Sequence, residues 1–346
     1  MIEPNPIGRV QTSACGTLLA VLEATGTMDS LLQVHDRFVL HLPGRTFDVP
    51  TTYPFCTFNF EVFCHRLLAQ SDAEVIRAAV LGCREHVVQT SRGDFEAEVL
   101  IDASGWRAVL ATGGEQQRQI HRGKSFGLET AVPVQESGLH FWYQPERLLA
   151  KGVTWLFPIG PVSRMGIGSY LGDTRLKNDL VSWLHSDFSL SPDGIHGGYF
   201  PYRRHQAVTG HVFRVGDAAG QCLPLTGEGI RPALYFGAQA GRLARAVVDG
   251  QMSAETALKM YCRLVDKYTN VYRFLLLAQK FLTNIPVAWV EKLAIEIDER
   301  GFFPRFMRVY RRVIEPAVLS EMCVDFTAES AKIAETKREN FSHFAL

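Results

Sequence analysis

The chain has 346 residues, enough for one large or two modest domains with a real core, and its 36 Lys+Arg balance 36 Asp+Glu, so charge gives no argument for nucleic-acid or acidic partners. Seven cysteines, Cys15, Cys56, Cys64, Cys83, Cys222, Cys262 and Cys323, form no CxxC or Cys/His ligand cluster; neither a metal site nor a disulfide framework is indicated, and reduced, cytoplasmic thiols are expected. The longest apolar stretch, Phe274 to Val290, is interrupted by Gln279, Lys280, Asn284 and Pro286, and no secretory leader is recognisable, so a membrane span is not expected.

In chain order, two short apolar runs from Phe38 to Val49 flank Pro43-Gly44 and predict a hairpin. Val62, Phe63, Leu67 and Leu68 recur with helical spacing and predict a helix over Glu61 to Gln70. Val87 to Thr90 and Phe95 to Ile101, on either side of Ser91-Arg92-Gly93-Asp94, predict a second hairpin. It runs into Asp102-Ala103-Ser104-Gly105-Trp106-Arg107, a strand end with a glycine turn, for which an Asx-type turn is the plain alternative. From about Gln116 to Gly172 the segments SFGLETAVP, GLHFWYQ, GVTWLFPIG and SRMGIGSY predict an antiparallel sheet. Trp155 and Phe157 share one strand face there and line either a pocket or the core. A helix from Arg175 to about Phe188, with Leu176, Leu180, Trp183 and Leu184 on one side, is predicted to cover that sheet. His196 to Pro201 then leads back, and Arg203, Arg204 and His205 are candidates for holding a phosphate or the reductant, with a solvated loop as the plain alternative.

The most informative stretch is Val212 to Gly250, which reads as strand, turn and helix. Val212, Phe213 and Val215 form a buried-strand run, and Gly216 lets the chain leave the sheet without a β-carbon in the way. Asp217 follows at the strand's carboxyl end, where open α/β sheets place ligands, and its carboxylate suits the hydroxyls of a sugar or polyol. Gly227 and Gly229 precede a helix start fixed by Pro232, so backbone amides and a helix positive end face whatever Asp217 holds. Ala233, Gly237, Ala240, Gly241 and Ala244 keep one side of that helix small, and Gly250 is placed to end it. Beyond it Leu258, Tyr261, Val265, Tyr268, Tyr272 and Leu275 form an aromatic-rich helical stripe, broken by Pro286. Phe302, Phe303, Phe306 and Met307 interleave with Arg300, Arg305, Arg308, Arg311 and Arg312; this stretch fits either a membrane surface or a solvated helix face.

Gly216-Asp217-Ala218-Ala219-Gly220, followed by Pro224 and Thr226-Gly227-Glu228-Gly229-Ile230, resembles the second flavin motif of p-hydroxybenzoate-hydroxylase-like flavoproteins, and most of all their geranylgeranyl reductase branch. The resemblance implies that Asp217 holds the ribityl chain of FAD, that Gly216, Ala218, Gly227, Gly229 and Ile230 belong to the cofactor site, and that the helix after them points its amino end at the isoalloxazine. It also implies that Asp102 and Gly105 lie beside the FAD and the reductant, NAD(P)H. Trp155-Leu156-Phe157-Pro158 with Gly166-Ile167-Gly168 resembles the prenyl-reductase signature whose aromatics wall the substrate cavity, although Val153 stands where the family has Tyr. At the start, MIEPNPIGRVQTSACGT resembles the family entered partway along its second strand, with Glu3 at the ribose-binding acid and Cys15 at a turn close to the flavin; a buried inert thiol is the other reading of Cys15. No GxGxxG occurs, and about thirty residues are expected to be wanting, on the usual size of a first βαβ segment.

The expected architecture is thus an α/β fold. It comprises an FAD/NAD(P)-binding Rossmann-like domain over 1–115 and 206–250, incomplete at its start; an antiparallel substrate sheet over 116–205; and a helical region over 251–346. The expected function is an FAD-dependent oxidoreductase passing hydride to an apolar alkene, with Trp155, Phe157 and Cys15 at the reacting centre and a small apolar, prenyl-lipid type of substrate. Peripheral association with a membrane would suit such a substrate. A flavin-dependent hydroxylase is the first alternative, and a non-catalytic remnant or a subunit completed by a partner chain is the second.

Overall fold

The computed structural model describes residues 1–10, 13–110, 123–143, 151–314 and Leu319. The expected domain boundary at 115/116, Cys323 and the end of the helical region lie outside them.

Near the start Ile2 bridges Ile76 in parallel, and β1 (Gly16–Leu18) runs into α1 (Leu19–Ala24). β2 (Leu31–His41) and β3 (Thr46–Phe58) form the expected hairpin around Pro43-Gly44. Both strands run further than the sequence pattern indicates, with register shifts near Gln33 and Arg37 that let the long ribbon bend. Asn59 starts α2 (Phe60–Leu68) by accepting the amide of Val62 at 3.1 Å. β4 (Val80–Arg84), β5 (Val87–Thr90) and β6 (Gly93–Glu96) make a small antiparallel sheet. The strand expected from Phe95 to Ile101 is in fact two. After Glu96 the chain bends and resumes as β7 (Leu100–Asp102), because Leu100 is drawn into a buried cluster with Val88 and Val212.

β8 (Lys124–Val132), β9 (Leu139–Trp142), β10 (Gly152–Pro158) and β11 (Ser163–Ser169) form the sheet foreseen for this region. α3 (Lys177–Phe188) covers one face of it, and β12 (His196–Pro201) adds an edge. The sheet is larger than expected: eight strands in the order β1-β3-β2-β9-β10-β11-β8-β12, antiparallel except where β2 meets β9. Strands from the first hundred residues therefore share a sheet with the expected substrate layer. Its covered face is a core of Val132, Leu156, Met165 and Ile167 against Leu176, Leu180, Trp183 and Leu184, as the helical spacing foretold.

β13 (Val208–Thr209) and β14 (Val212–Arg214) complete a third sheet, in which β14 lies parallel to β7. α4 (Ile230–Val248) follows, with Gly250 just past its end at φ +70°, a left-handed position that glycine takes without strain. α5 (Ala254–Asp266) is capped by Ser253, and α6 (Thr269–Leu282), α7 (Val287–Glu299) and α8 (Phe302–Val313) complete the described helices. Leu258, Tyr261, Val265, Tyr272 and Leu275 of the predicted stripe are buried in the largest core cluster, together with Phe213, Phe236, Met307 and Tyr310. Phe303 and Phe306 of α8 also pack inward, Phe303 at 5.9 Å from the Phe38 ring. Most of the apolar groups in the arginine-rich stretch are therefore core.

Candidate active site

Two turns at the carboxyl ends of adjacent parallel strands define the site. Arg214 of β14 stands opposite Asp102 of β7, and the amide of Val215 donates to the Asp102 carbonyl at 3.0 Å. The chain then leaves β14 through a 3-10 turn, Gly216–Ala219, and leaves β7 through another, Gly105–Arg107; Ala108 and Ala218 are buried against each other between them.

The first turn is locked from behind. Gln221, wholly buried, accepts the Gly216 amide at 2.7 Å and donates to Tyr261 Oη at 3.3 Å, while Tyr261 donates to the Arg214 carbonyl at 2.8 Å. Gly220 is required by space as well as by φ, +63°: a β-carbon there would sit 2.1 Å from the Arg203 carbonyl. This scaffold turns Asp217 toward the start of α4, with Oδ1 3.8 Å from where a β-carbon on Gly229 would stand. Burial pushes the Asp217 carboxyl up to about 7, because no donor among the described residues reaches it.

Asp102 differs. Its carboxylate accepts the Ser104 amide at 3.0 Å, Ser104 Oγ at 2.6 Å and the Leu110 amide at 3.1 Å, so its oxygens are taken up in holding the turn. This is the Asx-type turn that was the plain reading of the sequence. The turn leaves Gly105 at φ +72° with nothing within 4 Å of a β-carbon position, an open backbone that a ligand can approach. Beside it Lys124, 6 % exposed, places its ammonium 4.2 Å from the Trp106 ring and 5.4 Å from that of Tyr199, and burial lowers its pKa. Burial also pushes His205 down to about 4, with Arg214, Lys124 and Arg203 adding to the effect, so its ring is neutral. Arg204 is tied to Thr269 and Asp266, leaving Arg203 as the exposed member of that trio.

The loop before α4 carries Gly227 and Gly229, and at its end Glu228 and Arg231 form an ion pair, 2.7 Å, with side chains 7 % and 0 % exposed. Arg231 also donates to the carbonyls of Arg311 and Ile314 at 2.9 and 2.7 Å, and Tyr310 donates to Glu228. The sequence reading passed over this clamp, whose only trace is an acid and an arginine three residues apart. Ile230, the first residue of α4, packs with the cluster around Cys15.

The open face of the large sheet meets this loop. Trp155 and Phe157 are both partly buried on the face of β10 opposite the α3 core. The indole lies flat on glycines: β-carbons at Gly166, Gly168 and Gly127 would come within 2.2, 3.2 and 3.3 Å of it. Its Nε1 is buried without a hydrogen-bond partner among the described residues. Phe157 covers Gly16 at 2.8 Å by the same measure and stacks edge-on against Phe141 at 5.4 Å. Phe200 touches both regions, 3.6 Å from the β-carbon position of Gly127 and 3.7 Å from that of Gly227. Across four strands Trp155, Gly166, Glu129 and His196 stand in register, and His196 Nε2 shares a 2.9 Å hydrogen bond with Glu129 Oε1. That bond holds the His196 pKa above its ordinary value. Neither partner was singled out from the sequence.

Of the two readings of Cys15, a residue at the reacting centre and a buried thiol, the packing favours the second. The Cys15 thiol is wholly buried with Leu22, Cys56, Phe58 and Phe63, burial pushes its pKa up to about 12, and the residue that meets Phe157 is Gly16. Glu3 follows the isolated Ile2–Ile76 bridge, and its Oε1 accepts the Asn5 amide at 2.8 Å; among the described residues no hydrogen bond or ion pair joins it to the Asp217 turn.

These turns, the helix start and the curled sheet form a mixed α/β fold that is also found in FAD-binding flavoproteins. No family model matches the chain. It is 26 % identical over 218 residues to the digeranylgeranylglycerophospholipid reductase of Methanococcus vannielii, covering 54 % of this chain and 53 % of that protein. It is 30 % identical over 179 residues to the chloroplastic geranylgeranyl diphosphate reductase of Oryza sativa, covering 46 % and 36 %. The chain spans about half the length of the first curated relatives it matches. Among solved structures, a geranylgeranyl bacteriochlorophyll reductase-like protein of Thermoplasma acidophilum superposes with a TM-score of 0.74 at 18 % identity, covering 98 % of this chain and 92 % of that one. A probable FAD-dependent monooxygenase from Pseudomonas aeruginosa gives 0.53 at 16 %, covering 81 % and 90 %. Over about half of its length the chain is thus similar in sequence to geranylgeranyl reductases, and it shares its fold with flavoproteins.

FAD fits the residues present. A half-buried carboxylate without donors among the described residues is matched by ribityl hydroxyls, and the open left-handed Gly105 leaves room for the cofactor beside it.

Proposed function

We propose that the chain is an FAD-dependent oxidoreductase that reduces isolated double bonds of a prenyl lipid, drawing its electrons from NAD(P)H. The observation that carries this reading is the glycine-floored Trp155, joined through Phe200 to the loop beside Asp217. A slab of that kind accommodates a flat, apolar chain and holds it against the cofactor loop.

FAD, when bound, supplies the hydride chemistry. The remaining roles fall to the chain. Asp217 accepts ribityl hydroxyls, and its carboxyl, near 7 without them, becomes fully ionised once they donate. The amides at Gly227 and Gly229 and the positive end of α4 favour negative charge at the ring. Gly105 and the turn around it admit the cofactor backbone, with Lys124 and Arg203 as cations for a dinucleotide phosphate. Trp155, Phe157 and Phe141 bury the alkene and exclude water. Saturating a double bond also consumes a proton, which we assign to His196, held by buried Glu129 in register with Trp155 and reaching solvent on its other side. Work on such a substrate would suit a peripheral protein at a membrane surface; no helix among the described residues is long and apolar enough to cross a membrane.

Incubating the protein with FAD, NADPH and a geranylgeranyl lipid without oxygen should add two hydrogens per reduced double bond in the lipid's mass spectrum. The fold is shared with monooxygenases, so hydroxylation is the competing chemistry. NADPH consumption that requires oxygen, with an oxygen atom gained by the substrate, would replace the reductase reading with that one.

A further inference from the structure

α6 has two apolar faces, and only one is covered. Tyr272, Leu275 and Gln279 point into the core, each 4 % exposed. Phe274, Leu277 and Phe281, spaced by three and four, are 66, 65 and 56 % exposed. A helix on a protein's solvent side ordinarily carries polar groups at those positions, and contiguous exposed apolar side chains mark contact with something else. After the short link to α7, Trp289 and Leu293 continue the pattern at 63 and 38 %.

α6 contributes only cations beside these groups, whereas α7 carries both signs, with Glu291 next to Lys292 and Glu296, Asp298 and Glu299 further along. α6 contains no acid, and its exposed Arg273 and Lys280 flank the three apolar side chains. Lys292 lies 5.6 Å from the Trp289 ring, and Lys151 reaches the link by donating to Asn284 at 3.1 Å. α8, which packs on α7, likewise lacks acids and exposes Arg305, Arg308 and Arg312.

We propose that the outer face of α6 with the start of α7 is a docking surface for an anionic lipid bilayer. Large apolar and aromatic groups set among cations, with no acid on α6, are what an interfacial helix needs to enter the headgroup layer. A second copy of this chain is a poorer occupant, since a two-fold contact would bring together two α6 faces that carry only cations. The surface deepens the reading of a prenyl-lipid substrate and rests on it only for its biological sense.

Vesicle co-sedimentation tests the surface without substrate or turnover, so its failure and that of the reductase reading are separable. The full chain should bind vesicles containing phosphatidylglycerol, bind phosphatidylcholine vesicles more weakly, and lose binding as salt is raised. Phe274→Ser with Leu277→Ser should weaken partitioning by more than about tenfold. Arg273→Gln and Lys280→Gln should each weaken it about fivefold. Circular dichroism melting should stay unchanged in all of them, because the replaced groups are exposed. Trp289→Phe should remove a blue shift of fluorescence that accompanies vesicle binding. Absence of binding to anionic vesicles at low salt would overturn the proposal. So would a dimer in sedimentation analysis that Phe274→Ser with Leu277→Ser dissolves, since the face would then belong to a second copy.

Discussion

Asp102 and Asp217 end adjacent parallel strands, are followed by similar 3-10 turns, and meet through Ala108 and Ala218, yet they behave as different groups. Asp102 is 1 % exposed and holds three donors from its own turn. Asp217 has no donor within the described protein, and burial alone lifts its carboxyl to about 7. One acid is satisfied by its own turn; the other receives no donor from the described residues. Position at a strand end is thus not sufficient to identify a binding residue, and the count of donors around the carboxylate decides.

The widest test of that rule uses a third buried acid in the same site, Glu228, which is satisfied by Arg231 and Tyr310. Arg231→Met should leave its charge without a counter-ion and lower unfolding free energy by about 3–5 kcal/mol in urea titrations. A change below about 1 kcal/mol would mean that the clamp between the cofactor loop and α8 contributes little. Next in size is Asp102→Ala, which strips two backbone amides and a hydroxyl of their acceptor and should lower stability by about 2–3 kcal/mol. Equal stability of that variant and the parent would erase the contrast between the two acids.

The sequence made one side of this comparison legible and hid the other. Strand, glycine and acid around Asp217 follow from local rules about φ and period, and those hold in three dimensions; the helix start does so less closely, since α4 begins at Ile230, two residues before Pro232, which lies within its first turn. Whether Asp102 is bonded to its own turn depends on where the amides of Ser104 and Leu110 fall, which no spacing announces. The same limit explains Glu129 and His196, which are far apart in the chain and meet only because β12 pairs with β8. It explains Cys15 as well, since a motif fixes where the turn lies and the packing of Phe58 and Phe63 fixes where the thiol points. The long β2–β3 hairpin was foreseen only at its tip, because its outer ends alternate irregularly around two register shifts.

Asp217→Asn should act oppositely to Asp102→Ala. It should reduce FAD retention by about ten- to a hundredfold, from loss of a charge-assisted hydrogen bond, and leave the cofactor-free protein as stable as before or more so. The pH dependence carries the sign. An acid at about 7 in the folded chain and 3.8 ordinarily binds its proton more tightly when folded, so its contribution is fully present below about 4 and is lost as pH rises to about 7. Cofactor-free parent protein should therefore melt at lower temperature at pH 8 than at pH 5 by a margin that the Asn variant lacks. If both proteins lose the same margin, Asp217 is not the group responsible.

The smallest expected effect separates the open side of Asp217 from its scaffold. At Gly229 the backbone is at φ −110°, and an added β-carbon would rest at ordinary contact distances, 3.7 Å from Cys222 Sγ and 3.8 Å from Asp217 Oδ1. Gly220, nine residues earlier, has no such freedom, with a carbonyl 2.1 Å from the same construction. Gly229→Ala should consequently fold, at a cost within about 1 kcal/mol for replacing glycine at a helix start. Its methyl group would occupy part of the space through which hydroxyls approach the carboxylate, so FAD retention should fall about threefold, or roughly 0.7 kcal/mol. Isothermal titration with FAD measures this directly against the parent. Unchanged affinity would place the approach to Asp217 on another side, away from the start of α4, and would detach the helix dipole from the account of the site.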